Sequence, residues 1–331
     1  NGGTLRYTGS VAASTDRLFT VGPNGAGIDN SGTLALTWNG NGTGAANTPT
    51  FSGASGTLTL GGSRVAANLF APVWMDATGA GAGSSALTKT GAGSWRLTAA
   101  NSYTGATAVA NGTLQLGTAT ALGSSSGVTV SAGGALDLYG QNVATVLPLT
   151  LNGSGVSYAG ALTNSSSTGA TYAGLISLGS ASSVVGGTGT IDLSNAGAIT
   201  GAYELTLGGK GGSVSSVIST SSLRVRTLNT AGQGVAPTGP GIWTLLAVNT
   251  YTGTTTLHKG TLLLGVANAL PSSSAVTVGD SGILDVAGTS IANPISMNSV
   301  GYVFNSSAGT NSVGKKHVNG GNCRARLARA G

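Results

Sequence analysis

The chain has 331 residues, of which 58 are glycine, 40% are apolar and only 7% carry a charge. This composition excludes a disordered chain, because disorder by composition combines few apolar residues with high net charge. It also excludes a helical membrane protein, since no apolar run approaches the roughly 18 to 20 residues that span a bilayer. Abundant Gly, Ser, Thr and Val, with few Glu, Lys, Gln and Met, disfavour helices and predict an all-β protein.

Short segments of the form Gly-x-apolar-x-apolar recur along the chain and predict strands with one buried face. The clearest copies begin at Gly93, Gly112 and Gly134, which are 19 and 22 residues apart. The same two spacings separate the copies that begin at Gly241, Gly260 and Gly282. Looser copies open at Gly3, Gly32, Gly56 and Gly189.

A longer repeat contains the shorter one. Residues 93–140 align without a gap to residues 241–288, and 27 of the 48 positions are identical. Strands that recur every twenty-odd residues favour a solenoid, in which each turn covers the apolar face of its neighbour. The competing architecture is a β-sandwich, whose strands recur about every 8–12 residues.

Two segments carry a family resemblance. Residues 89–98, the Asn-Ser-Tyr-Thr-Gly sequence at 101–105 and the strand at 111–117 resemble the autotransporter-associated β-strand repeat, and residues 241–265 resemble it almost as well. The resemblance implies a right-handed parallel β-helix that belongs to the surface-exposed passenger of a bacterial type V autotransporter. It also implies that these repeats assist passenger folding and export. From the spacing of the repeated strands we expect rungs of about 19–24 residues.

The charge is unevenly distributed. The formal net charge is +6, but residues 1–314 hold 9 basic and 8 acidic residues, so the body predicts no clustered basic face and no nucleic-acid partner. We expect one continuous solenoid over 1–313 and a basic, disordered tail over 314–331, with tail binding to a polyanion as a minor alternative. The tail holds the single cysteine, Cys323, and the cations Lys315, Lys316, Arg324, Arg326 and Arg329.

The chain begins within a repeat-like motif, Asn1 to Leu5, and shows neither a secretory signal nor a translocator barrel. We therefore expect it to be a fragment of a longer protein, which would meet the membrane only through a translocator domain outside this sequence.

Two short motifs resemble serine-enzyme signatures. The sequence 123–127 matches a nucleophile elbow, but its counterpart at 271–275 replaces both glycines, which favours a solenoid corner. The sequence 279–282 resembles the serine motif of chymotrypsin-like proteases, yet its counterpart at 131–134 indicates a turn. A triad would also need one of the two histidines, His258 or His317, in reach.

Metal and acid–base chemistry receive little support. The sequence 24–29 is close to a single calcium-binding nonapeptide, but such sites form between consecutive copies and no second copy follows. Polysaccharide lyases and hydrolases also use parallel β-helices and need clustered carboxylates. The acidic residues are few, and Asp137 and Asp285 occupy one repeat position, which predicts a structural slot; the full set is Asp16, Asp29, Asp76, Asp137, Asp192, Glu204, Asp280 and Asp285.

The aromatic residues of the two copies coincide. Trp95 and Trp243 take the first inward position of equivalent strands, and Tyr103 and Tyr251 lie at equivalent corners, so we expect them to pack within or beside the core.

The sequence thus predicts a structural and presentation segment of a surface or secreted passenger, without catalytic, cofactor or metal residues. Adhesion to a host or matrix surface, to polysaccharide or to other copies of the chain is a further role. The alternative is a carbohydrate-active β-helix protein.

Overall fold

The computed structural model describes residues 2–40, 47–78, 82–226, 241–298 and 300–307, and the backbone of 316–317. It confirms an all-β parallel solenoid of about 13 turns. Within these ranges no α-helix occurs, and a short 3-10 turn spans Val156–Tyr158. The described residues accordingly contain no helix long and apolar enough to cross a membrane.

The strands stack into three parallel columns, the faces of the solenoid, and are numbered in chain order. The first face holds β1 (Gly3–Tyr7), β4 (Ala26–Asn30), β7 (Thr57–Gly61), β9 (Ala86–Lys89), β11 (Thr107–Val109), β13 (Val128–Val130), β16 (Leu149–Gly153), the start of β19 (Ile176–Gly186), β21 (Ala198–Thr200) and β24 (Val217–Ser219).

The second face is the longest column. It holds β2 (Ala13–Thr15), β5 (Leu36–Trp38), β8 (Asn68–Phe70), β10 (Ser94–Leu97), β12 (Gly112–Leu116), β14 (Gly134–Asp137), β17 (Leu162–Asn164), the end of β19, β22 (Glu204–Gly209), β25 (Ser222–Arg226), the starts of β27 (Thr255–Leu264) and β28 (Val276–Asp285), β29 (Ile295–Met297) and β31 (Lys316–His317).

Among the described residues the third face begins near the middle of the chain, at β15 (Asn142–Val143). It holds β15, β18 (Ala170–Tyr172), β20 (Ile191–Leu193), β23 (Gly211–Val214), β26 (Ile242–Leu245), the ends of β27 and β28, and β30 (Tyr302–Phe304). A separate pair joins β3 (Thr20–Val21) to β6 (Thr50–Phe51).

The core consists of inward side chains stacked in rows along the axis. Alternate residues of each short strand point inward, and the register places like residues above one another. On the second face one such row runs through Trp95, Leu114, Leu136, Leu162, Val184, Leu207, Val225, Leu257, Val278 and Met297. Each buried side chain of this kind contributes about 1.5–3 kcal/mol. That contribution requires a turn on either side, so an isolated turn has no core.

The turns vary in length more than the repeat spacing predicts. Leu207 pairs with Val225 across a short turn, whereas Val225 pairs with Leu257, which lies much farther along the chain. Ile28 and Leu60 likewise pair across a long turn. The register of the core rows is nevertheless kept across turns of both lengths.

The two long repeats occupy different faces. Trp95 lies on the second face, and six steps of register along that face lead to Val225. Trp243 follows in the next strand, β26, on the third face. The offset between the two copies therefore corresponds to six turns and one further face. Equivalent outward residues of the two copies consequently lie on different sides of the solenoid.

The division into a solenoid over 1–313 and a tail over 314–331 stays a prediction. Within the tail, the backbone of Lys316–His317 pairs with that of Ile295 and Ser296. Cys323 and the cations Lys315, Arg324, Arg326 and Arg329 lie outside the described residues.

Candidate functional site

The corner of the first repeat, residues 101–105, joins three successive turns through one side chain. The amide oxygen of Asn101 accepts a hydrogen bond from the backbone N–H of Trp74, at 2.8 Å, in the preceding turn. Its amide nitrogen donates to the carbonyl oxygen of Ala121, at 2.6 Å, in the following turn. Trp74, Ala121 and Asn101 are all buried, so the amide of Asn101 supplies hydrogen-bond partners for two backbone groups that water does not reach.

The second corner, residues 249–253, repeats this geometry. The amide oxygen of Asn249 accepts from the backbone N–H of Ile218, and its nitrogen donates to the carbonyl oxygen of Ala269, both at 2.7 Å. The sequence motif contains these asparagines, but their clamping role depends on which turns lie above and below. The only signal available from sequence was their recurrence at one repeat position.

A chain of buried hydroxyl groups closes each corner. The phenol oxygen of Tyr103 lies 2.7 Å from the Thr107 hydroxyl, which lies 3.0 Å from the hydroxyl of Ser125. Tyr251 and Thr255 form the same contact at 2.6 Å. Burial raises the pKa of Tyr103 well above its ordinary value and raises that of Tyr251 to about 12, partly offset in both by these hydroxyl contacts.

The sequence that resembles a nucleophile elbow is part of this corner. Gly123 has φ +58 and lies in a turn that leads into strand β13. A nucleophile elbow would instead lead into a helix. The Ser125 hydroxyl donates to the carbonyl oxygen of Gly105 at 2.9 Å. In the second copy the hydroxyl partner is Ser274, which aligns with Ser126 rather than Ser125. The two corners therefore fill one position from different serines.

The tryptophans lie in the core, as the sequence predicts. Trp95 and Trp243 are 0% and 1% exposed. Each indole N–H donates to a carbonyl oxygen of an earlier strand, Gly61 at 2.8 Å for Trp95 and Gly208 at 3.1 Å for Trp243. Their burial leaves no aromatic platform at these positions for stacking against a sugar ring.

The recurring aspartate position is a structural slot, which confirms the prediction for Asp137 and Asp285. Each carboxylate accepts the backbone N–H two residues on, at 3.0 Å and 2.9 Å respectively. Each also accepts a backbone N–H at 3.0 Å from a serine in the next turn, Ser165 for Asp137 and Ser306 for Asp285. These carboxylates are buried and fix the exit of the chain from the strand.

The sequence at 279–282 forms a bulge within β28 rather than a turn between strands. Asp280 and Ser281 have φ +49 and +65, and the register shifts between His258 and Gly260 opposite them. The bulge brings the Asp280 carboxylate 2.9 Å from Nδ1 of His258. Both side chains are partly exposed, and sequence separation gave no signal for this pairing.

The calcium-like sequence 24–29 does not supply a free carboxylate. Asp29 lies 3.2 Å from the guanidinium of Arg6 and accepts from the Ser31 hydroxyl at 2.6 Å.

Asp76 accepts the backbone N–H groups of Ser85 and Thr104. Burial alone would raise the pKa of Asp76, but these hydrogen bonds outweigh burial and lower it.

Two further acids pair within the fold: Asp192 accepts the backbone N–H of Ser213 at 3.0 Å, and Glu204 lies 3.0 Å from Arg224. Among the described residues no three His, Cys, Asp or Glu side chains group as metal ligands.

Comparison with known proteins identifies the repeat. Residues 87–116 and 238–264 match the passenger-associated-transport-repeat family. Over 175 residues the chain is 38% identical to the adhesin BmaC autotransporter of Brucella suis biovar 1 (strain 1330), an alignment that covers 53% of this chain and 4% of that adhesin. No solved structure matches the chain significantly. The resemblance to the autotransporter-associated repeat is confirmed.

Proposed function

We propose that this chain, which carries two autotransporter-associated repeats, is a structural and presentation segment of a bacterial surface passenger. Its role is to fold turn by turn into a stiff solenoid and to display side chains along its length. The observation that carries this proposal is the clamp formed by Asn101 and Asn249, because it occurs in both matched repeats and ties each repeat to its neighbouring turns.

The proposal includes no catalytic step. This is supported by the carboxylates of Asp137 and Asp285, which occupy equivalent positions and accept hydrogen bonds from backbone N–H groups. Two carboxylates that flank one bond, roughly 5 to 10 Å apart, are what glycoside hydrolysis requires. A carboxylate engaged by backbone N–H groups within a turn is not available for that chemistry.

We assign an adhesive role to the outward faces, by analogy with the adhesin that the chain resembles. Outward positions of the first face are rich in hydroxyl groups, including Thr88, Thr129, Thr150 and Ser177. Hydroxyl groups in regular rows can bind polar surfaces such as matrix proteins, polysaccharide or a second copy of the chain. The location is the cell surface or the extracellular space, and membrane contact falls to a separate translocator domain.

Surface display tests the presentation role. The full chain would be placed between the export signal and the translocator of an established autotransporter, and display measured by antibody labelling of intact bacteria. We expect N101A to reduce display and to increase protease sensitivity, because two buried backbone groups lose their partner at about 1–3 kcal/mol each. The matched control is S102A, which alters an exposed side chain at the same corner.

Equal display of N101A and S102A would contradict the role of the clamp in folding. Adhesion is tested separately, by comparing binding of displaying and non-displaying bacteria to cultured cells and to matrix-coated plates. The adhesive assignment fails if the displayed, protease-resistant chain confers no binding to either surface.

A further inference from the structure

The described residues contain a local cluster of basic side chains, although residues 1–314 as a whole are nearly neutral. On β25 the inward residues are Leu223 and Val225, so Arg224 and Arg226 point outward. The register places Arg226 beside His258 on β27, and Lys259 follows directly. The near-neutral body therefore has a local basic surface, which the sequence analysis did not predict.

The immediate surroundings leave this pair of side chains accessible. Gly208 is the register partner of Arg226 on one side, and Gly279 is the partner of His258 on the other. Neither glycine has a side chain that could lie over Arg226 or His258. Lys259 has φ +53 and lies exposed at the bend of the chain, directly after His258.

The nearby acids are already engaged. Glu204 lies 3.0 Å from Arg224, and Asp280 lies 2.9 Å from Nδ1 of His258. Among the described residues no carboxylate lies within ion-pair distance of Arg226 or Lys259. Two cations thus remain available for a negatively charged ligand.

We propose that Arg226, His258 and Lys259, which we call the basic patch, bind an acidic polysaccharide that carries sulfate or carboxylate groups. This inference deepens the adhesive part of the proposed function and rests on it. The guanidinium of Arg226 can bind an oxyanion with two parallel hydrogen bonds, and Lys259 adds a second charge.

The neighbouring row favours a glycan over a nucleic acid. The outward residues beside the cations are Thr256 and Thr277, whose hydroxyl groups are partners for sugar hydroxyls. Strands β25, β27 and β28 contain no Phe, Tyr or Trp, the side chains on which unpaired bases stack.

The test uses the full chain and heparin as the probe, with neutral dextran and duplex DNA for comparison. The affinity for heparin would be measured at several salt concentrations for the wild type and for a double variant, R226Q with K259Q. We expect the variant to bind at least tenfold more weakly, and the slope of log affinity against log salt to fall by about 2, one for each lost contact.

The matched control is R6Q with R17Q, which removes the same net charge from the first turns of the solenoid. We expect this control to keep the wild-type affinity and slope, and circular dichroism and protease resistance would establish that both variants fold. Equal losses in the two variants, or no loss in R226Q with K259Q, would overturn the proposal. The proposal would also be overturned if R226Q with K259Q lost as much affinity for neutral dextran as for heparin. It would likewise be overturned if the wild type bound DNA as tightly as heparin and through the same residues.

Heparin binding and surface display fail independently. A chain that is displayed but does not bind heparin through the basic patch contradicts this inference alone. A chain that binds heparin in solution but is neither displayed nor protease-resistant on bacteria contradicts the presentation role.

Discussion

A lysine occupies an inward position in the core of the first face, and its titration gives the sharpest test of the structure. Strand register places Lys89 between Leu60 and Val109 in a row of buried side chains. Lys89 is 0% exposed. Its ammonium group donates to the carbonyl oxygens of Thr90, Gly91 and Asn111, at 2.6, 2.8 and 3.0 Å.

Burial lowers the pKa of Lys89 from its ordinary 10.5 to about 8, and the Asp29 carboxylate partly opposes this shift. Between these two values the unfolded chain keeps a proton that the folded chain has lost. The free energy of unfolding therefore rises with pH from about 8 to 10.5, and below pH 8 this group leaves it unchanged because both states are protonated. The pKa difference corresponds to about 3 kcal/mol in total.

The measurement is urea unfolding, followed by circular dichroism, at pH values from 7 to 10. We expect the wild-type midpoint to rise from about pH 8 to 9.5, and the variant K89M to lose most of that rise because the titrating group is absent. Midpoints are preferred to extrapolated free energies because solenoids depart from two-state unfolding. The control K259M removes an exposed lysine and should keep the wild-type pH dependence.

Buried tyrosines set the upper limit of the useful range. Burial raises the pKa of Tyr103, Tyr172 and Tyr251, so above pH 10 the unfolded chain releases protons that the folded chain retains. That release lowers stability as pH rises, and the wild type should show maximal stability between pH 9 and 10. A wild-type midpoint that stays level or falls from pH 8 to 9.5, or a K89M variant that keeps the full rise, would refute the buried position of Lys89.

Two further predictions concern the repeat corners and strands. Gly112→Ala should lower the free energy of unfolding by at least about 2 kcal/mol, because Gly112 has φ +70 and an added Cβ would lie 2.3 Å from the carbonyl oxygen of Gly93. Gly127→Ala, with 3.6 Å of clearance, should change it by less than about 0.5 kcal/mol, and similar losses in both variants would contradict this contrast. Tyr103→Phe and Tyr251→Phe should each cost about 1 kcal/mol in thermal or urea unfolding, since each removes a buried hydroxyl bridge; unchanged stability would show that the bridge contributes nothing.

Much of the fold was predictable because its signals are local and repeated. Alternating apolar residues after a turn glycine predicted strands such as β10 and β12, and the alignment of 93–140 with 241–288 predicted stacked turns. Recurrence at one repeat position likewise predicted buried roles for Trp95 and Trp243.

Sequence alone was enough to predict the strand pattern, the solenoid class and the recurring aspartate slot, since each follows from which residues alternate and recur. Which residues of neighbouring turns meet became known only from the fold, because that depends on where each connection lets the next strand begin. The rotation of the second repeat by one face, the contact of His258 with Asp280 and the carbonyl environment of Lys89 all arise in this way.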